Sequence, residues 1–148
     1  MQTIQTIPIS QEVNIPLGSI SLRGNLNLPA AATGLVLFSH GSGSSRHSPR
    51  NQAVARAIRE AGVGTLLFDL LTCEEDRIDQ QTRHLRFDIP LLVRRLIATT
   101  AWVRSHRMLS HLRVGYFGAR SAACYRMGSC TVTSFTPSGN VASTCTSW

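Results

Sequence analysis

Lysine is absent from this chain. All fifteen basic residues are arginine, and against eight acidic residues they leave a formal net charge of +7. Every positive charge is therefore a guanidinium, which stays protonated in proteins. A basic balance of this size raises the question of nucleic acid. The arginines are scattered, however, with Arg94-Arg95 the one adjacent pair, and no aromatic residues interleave with them. That pattern reads as solvated helix faces, and no nucleic-acid partner is expected.

Long apolar runs are also missing. None approaches the roughly eighteen residues a membrane span requires, so no membrane partner is expected. Residues 1–10 hold neither a basic stretch nor an apolar core, so no secretory signal is read, and a cytoplasmic protein is expected. The four cysteines, Cys73, Cys124, Cys130 and Cys145, include no CxxC pair, which removes the usual zinc and thioredoxin signatures. Without a signal peptide a disulfide framework is not expected. Asp76 and Asp79 lack an accompanying His or a Gly-containing loop, so they read as a solvated acidic loop and not a metal site. No cofactor and no metal are expected.

What is present is globular. The 148 residues are 43% hydrophobic and 16% charged, enough for one domain with a real core. Composition breaks near residue 119. Residues 1–118 contain sixteen Leu, nine Ile, all eight acidic residues and all five His. Residues 119–148 contain none of these, but hold three of the four cysteines and eleven Ser or Thr. Such a segment offers little apolar surface to a core. It reads either as a polar, flexible tail or as the product of a shifted reading frame. The chain is accordingly divided into residues 1–118 and an atypical tail, 119–148.

Within the first part, residues 11–17 and 19–28 alternate apolar and polar positions, as two half-buried strands do, and Gly18 between them suits a hairpin turn. Residues 34–39 form a continuous apolar run, as in a strand buried on both faces. A small-residue loop follows, His40-Gly41-Ser42-Gly43-Ser44-Ser45. Ser48 then stands as an N-cap with Pro49 at the first helical position, and Gly62 suits the C-terminal end of that helix. Residues 63–68 are the next buried strand, ending in Asp69. A further helix carries Ile89, Leu92, Leu96 and Val103 on one face. Pro90 fits if Asp88 is its cap, or marks a kink in a helix that starts near Asp79. Residues 112–117 are the last strand. The order, a β-hairpin followed by β-α-β-α-β, implies an α/β fold with a mostly parallel sheet and right-handed crossovers, then an irregular tail.

Ligands of open α/β sheets bind at the carboxyl ends of the strands. Three such ends are legible here: the loop after Ser39, Asp69 with the acidic stretch behind it, and Gly118-Ala119-Arg120-Ser121-Ala122. Val36-Leu37-Phe38-Ser39-His40-Gly41-Ser42-Gly43, Leu66-Leu67-Phe68-Asp69 and Val114-Gly115-Tyr116-Phe117-Gly118-Ala119 together resemble the N-terminal portion of a dienelactone hydrolase-like α/β-hydrolase. Residues 42–51 and 82–88 extend the resemblance, which covers about residues 12–119.

The resemblance implies a serine hydrolase acting on small esters or lactones. It also implies a nucleophile elbow, Gly-x-Ser-x-Gly, after the last strand. Arg120 stands at the nucleophile position, and a guanidinium cannot attack a carbonyl. Ser121 lies one residue late, a displaced nucleophile candidate at best. In this fold the acid and the His follow the nucleophile in the chain, and residues 122–148 contain no Asp, Glu or His. The expected state of this chain is therefore an incomplete, inactive hydrolase, truncated at the elbow.

The oxyanion-hole side survives. Gly41 and Ser42 match the family's loop, with the Ser42 N–H as one donor and the Ser121 N–H as the second. An ordinary strand-to-helix loop with Gly at positive φ is an equal reading of those glycines. His40, Gly43 and His84 are assigned to substrate binding. For His84, with Arg86 and Asp88, a solvated helix start is as good a reading. His40 orders the loop and is not a general base. Asp69, at a strand end, reads as capping or bracing the next loop ahead of a catalytic role, and His106 and His111 are surface residues. The alternatives to a hydrolase are a non-catalytic module binding a small ligand or a protein, and a weak, non-specific nucleic-acid binder. The last strand is expected to expose an apolar edge that favours aggregation.

Sequencing the gene across codons 117–123 tests the frame. The expected result is a second frame that continues with Gly-x-Ser-x-Gly and runs on to an Asp and a His. A single confirmed frame without that continuation would make Arg120 and the tail genuine.

Overall fold

The computed structural model describes residues 7–39 and 45–118, together with the backbone of 131–135 and 141–145. Strands β1 (Ile9–Leu17) and β2 (Ile20–Leu28) form the hairpin, with Gly18 at φ 69° in its turn. Then come β3 (Gly34–Ser39), α1 (Pro49–Glu60), β4 (Gly64–Phe68), α2 (Cys73–Thr82), a short 3-10 turn at Leu85–Phe87, α3 (Ile89–Ser105) and β5 (Arg113–Phe117). The sheet order is β1-β2-β4-β3-β5. β1 and β2 pair antiparallel, β2 pairs antiparallel with β4, and β4, β3 and β5 are mutually parallel. This is the expected α/β architecture. Beyond residue 118 the described backbone forms two short strands, β6 (Thr131–Phe135) and β7 (Val141–Cys145), paired antiparallel in a separate sheet.

Period-two alternation explains how the sheet is covered. Leu35 and Leu37 of β3, Leu66 and Phe68 of β4 and the apolar positions of β2 share one face, where Leu92, Leu96 and Val103 of α3 complete the larger core. Val36, Phe38 and Leu67 point the other way and meet Ala55 of α1, with Val54, Ile58 and Phe117 packed alongside. Helices therefore lie on both faces, and β3 and β4 are buried throughout. Gly24 permits the junction of the antiparallel hairpin with the parallel strands. A Cβ there would lie 3.1 Å from the Phe68 Cβ and 3.3 Å from the Leu67 carbonyl oxygen.

Pro90 does not kink a longer helix. Asp88 caps α3, its carboxylate accepting from the Leu91 N–H at 3.0 Å, and Pro90 sits in the first turn, where no N–H is needed. Ser48 occupies the N-cap position of α1 but makes no side-chain capping bond, and Gly62 ends that helix region at φ 82°.

The reading of Asp76 and Asp79 as a solvated loop is corrected. The segment is a helix, opened by a capping box in which Thr72 accepts from the Glu75 N–H while Glu75 accepts from the Thr72 N–H. Asp79 is buried at 1% exposure. It accepts from the backbone N–H groups of Leu85 (2.7 Å) and Arg86 (3.1 Å), and pairs with Arg86 Nε at 2.6 Å. These bonds fold the chain back after α2 and set the approach to α3.

Burial alone would raise the Asp79 pKa, but the hydrogen bonds and charge from Arg86, with the Leu85 N–H, outweigh it and hold the carboxyl below the usual Asp value. A lowered native pKa means that the ionised form stabilises the fold fully above the unfolded Asp value, about 4. That contribution is lost as pH falls through the native value. Asp79→Asn is therefore expected to melt below wild type at pH 7, with the gap narrowing steadily as the pH is lowered from 5 to 3. Thermal melts across that series check this, and a gap independent of pH would contradict it.

Candidate active site

The carboxyl ends of β3, β4 and β5 lie at one end of the sheet, with β4 and β5 on opposite sides of β3. Connections leaving neighbouring strands in different directions open the crevice that α/β folds use for ligands. Ser39 closes β3 at 2% exposure. Asp69 follows β4, and its N–H donates to the Arg23 carbonyl at 2.9 Å, so its backbone is still tied to the sheet.

Arg46, only 8% exposed, organises the far side of the β3–α1 connection. Its own N–H donates to Asp69 Oδ1 at 3.0 Å, and its carbonyl accepts from Gln52 Nε2 of α1 at 2.8 Å. Its guanidinium reaches Glu12 Oε1 on β1 at 3.0 Å through Nη2, and Nε stands 3.1 Å from His47 Nε2 and 3.6 Å from Asp69 Oδ2. Among the described residues Nη1 of Arg46 and Oγ1 of Thr99 are the buried side-chain polar atoms without a partner. Asp69 thus braces the connection before it in the chain.

The following loop is held by a second buried arginine. Arg95 of α3 donates through Nη1 to the Leu70 carbonyl at 3.1 Å and to Glu75 Oε2 at 2.9 Å, and through Nη2 to Glu75 Oε1 at 2.6 Å. Burial works to raise the Glu75 pKa, but the Arg95 hydrogen bonds and charge and the bonds from Thr72 prevail, so the carboxyl is held below its ordinary value. The expectation that the arginines are solvated helix faces is therefore corrected at Arg46 and Arg95. Arg95 shares the inner side of α3 with Leu92, Leu96 and Thr99, and its charge is met there by a bidentate carboxylate.

Of the residues assigned a site role from sequence, His40, Gly41, Ser42, Gly43, Arg120 and Ser121 lie outside the described residues. His84 is exposed, between α2 and the 3-10 turn. Its neighbours Arg86 and Asp88 are engaged in structural bonds, to Asp79 and to the α3 N-terminus. His111 is exposed, while His106 is half-buried and packs against Trp102, the ring centroids 4.9 Å apart and the planes tilted by 52°. Arg46, Glu12 and Gln52 were not singled out from sequence. The one available signal was Arg46's place next to the small-residue loop; nothing local marks Glu12, thirty-four residues earlier. Among the described residues no three His, Cys, Asp or Glu side chains group so as to hold a metal ion, and no helix is long and apolar enough to cross a membrane.

No family model matches the chain. Proteins from two Mycobacterium tuberculosis strains, each named putative phosphoribosyl transferase, are 48% identical over 113 residues, which is 76% of this chain but 25% of theirs. The dienelactone hydrolase of Anabaena variabilis is 52% identical, with a TM-score of 0.76 over 80% of this chain and 58% of its own. Est1E from Butyrivibrio proteoclasticus (17% identity, TM-score 0.57) covers 72% of this chain and 39% of its own length. A dienelactone hydrolase-like promiscuous phosphotriesterase from metagenomic libraries (13%, 0.57) covers 75% and 48%, and these two share the fold alone. The chain thus spans a quarter of the mycobacterial relatives and a little over half of the Anabaena enzyme. Over that span it is a dienelactone hydrolase-like α/β-hydrolase segment.

Proposed function

We propose that this chain carries the oxyanion-hole side of a serine hydrolase for small esters or lactones, and that by itself it does not turn substrate over. The observation behind the first half is the 52% identity to a dienelactone hydrolase, over a match that covers 80% of this chain. The name of the mycobacterial proteins belongs to chains of which this segment matches 25%, and it brings no transferase chemistry to these residues.

In this reading the ester carbonyl lies at the carboxyl end of β3. The Ser42 N–H donates to the developing oxyanion, the Ser121 N–H supplies the second donor, and His40 and Gly43 shape the loop around the substrate. The second half rests on the residues that do the bond-making. Arg120 at the nucleophile position has no lone pair to offer. Ser121 stands one residue late for the elbow pattern, and no general base follows it, since residues 122–148 contain no His, Asp or Glu. The triad order of this fold cannot then be completed within the chain. β5 is an edge strand of the described sheet, as β1 is at the other side, and we infer that this edge favours edge-to-edge association.

Incubating the purified chain with p-nitrophenyl acetate tests this. Release of p-nitrophenol is expected at the buffer rate, unchanged in Ser121→Ala. Saturable hydrolysis that Ser121→Ala abolishes would overturn the inactivity and make Ser121 the nucleophile. In the same preparation, gel filtration at micromolar concentration is expected to show oligomers, and a single monomer peak would contradict the edge association.

A further inference from the structure

We propose that residues 72–84, built around α2, form a strap that comes away from the carboxyl end of β4 and melts as a unit while the sheet, α1 and α3 stay folded. The proposal stands on the bonds of this segment and not on the hydrolase reading.

α2 has almost no apolar hold on the rest of the chain. No residue of Cys73–Thr82 belongs to either apolar cluster, and its one large aliphatic side chain, Ile78, is 49% exposed. Its one buried residue is a carboxylate, Asp79. The chain on either side is different. Leu70 and Leu71 before it are buried in the larger core, and Leu85 after it packs against that core. Release of the strap therefore exposes little apolar surface, and the anchors on both sides keep it attached.

Two carboxylates hold it instead. Glu75 Oε1 accepts from Arg95 Nη2 at 2.6 Å, while Oε2 accepts from Arg95 Nη1 at 2.9 Å and from the Thr72 N–H at 2.8 Å. This latch ties the first turn of α2 to α3. Asp79 closes the other end on Arg86 and the Leu85 N–H. Glu75 and Asp79 are four residues apart, so both latches lie on one side of the helix. The bonds from Gln80 to Asp76 and from Thr82 to the Ile78 carbonyl stay within α2 and fasten it to nothing else.

When an ion pair opens, both partners return to water, and their hydration offsets much of the lost attraction. The open state of the strap therefore lies well below global unfolding in free energy. Arg83, which ends α2, stands at φ 55°, a left-handed conformation unfavourable for a residue with a Cβ, and release relieves it. Once free, a helix of 10 residues is too short to persist in water. Detachment and melting are thus one event. The strap follows the end of β4, on the side of the sheet where α/β folds receive ligands. Its opening widens access there and returns the Arg95 guanidinium, beside the Leu70 carbonyl, to solvent.

Limited trypsinolysis of the full chain tests this, because the chain has no Lys and is cut after Arg alone. Arg77 in α2, Arg56 in α1 and Arg94 in α3 are all exposed and all within helices, so cleavage at each requires its helix to open. Cleavage after Arg77 is expected to be at least about tenfold faster than after Arg56 or Arg94, its rate following the open population. Glu75→Gln keeps an oxygen for the Thr72 N–H but removes the charge that faces Arg95. It should speed cleavage after Arg77 about tenfold further, one hydrogen bond to a charged group being of that order. Ile15→Val trims a fully buried position in β1 and lowers global stability, yet should leave cleavage after Arg77 unchanged. The proposal is overturned if wild-type cleavage after Arg77 is no faster than after Arg56 and Arg94, or if Glu75→Gln folds and leaves it unchanged. It is equally overturned if Ile15→Val speeds it several-fold, because the cut then passes through unfolding of the whole domain. Should Glu75→Gln not fold, the wild type and Ile15→Val decide. Absence of ester hydrolysis bears on the functional reading alone and leaves these comparisons intact.

Discussion

An arginine taken out of water keeps its charge, and the cost of that burial is recovered only where a carboxylate and further acceptors meet it in good geometry. Arg46 and Arg95 are both in this position, and both stand behind connections at the carboxyl ends of the strands. Their partners come from distant parts of the chain: Glu12 on the first strand, Asp69 after β4, Glu75 on α2. Each pair therefore fixes one element relative to another. Hydrophobic packing puts the sheet together, but it is non-directional. The angular precision of the connections comes from these few bonds.

The faces of the sheet divide the labour. α3 and the hairpin share the larger core with β3 and β4, while α1 covers a smaller cluster that includes Phe38 and Phe117, whose rings meet at 4.9 Å. The hairpin needs one face only, which is why its other face can carry Glu12, Arg23, Asn25 and Asn27. That polar face is where the guanidinium of Arg46 finds Glu12. An all-apolar β1 would give the same strand and leave Arg46 with one carboxylate fewer.

Most of the fold was legible because its signals are local. Alternation marked β1 and β2, continuous apolar runs marked β3 and β4, and glycine and proline marked the ends. Pro90 was ambiguous because a proline reads the same way in a first turn and at a kink; the Asp88 carboxylate on the Leu91 N–H decided it. Asp79 was misread for a related reason. A stretch with Glu74, Glu75, Asp76 and Asp79 looks uniformly solvated until Arg86, seven residues on, folds back and buries the last of them. Arg95 was misread because a charge pattern cannot say which of two adjacent arginines faces inward. Of the bonds described at the carboxyl ends of the strands, the sequence singled out Asp69 but not Arg46, Glu12 or Gln52, whose association depends on tertiary contacts.

The loss of leucine, isoleucine, acid and histidine after residue 118 and the departure from the elbow pattern at Arg120 fall within two residues of each other. They have separate physical consequences. The first removes the apolar surface from which further strands of a core would be made. The second, in the hydrolase reading proposed above, puts a guanidinium where a nucleophile is expected. An exchange confined to the nucleophile would leave a chain able to fold around a dead site. Loss of apolar surface alone would leave intact chemistry on an unsupported strand. In the hydrolase reading proposed above, the two together leave strand ends braced by Asp69, Arg46 and Arg95 next to β5, an edge strand of the described sheet. Bracing of that kind orders the connections whether or not a nucleophile follows, because its donors and acceptors all lie between Glu12 and Arg95. The bracing at the strand ends is therefore physically separable from any chemistry that those ends would serve.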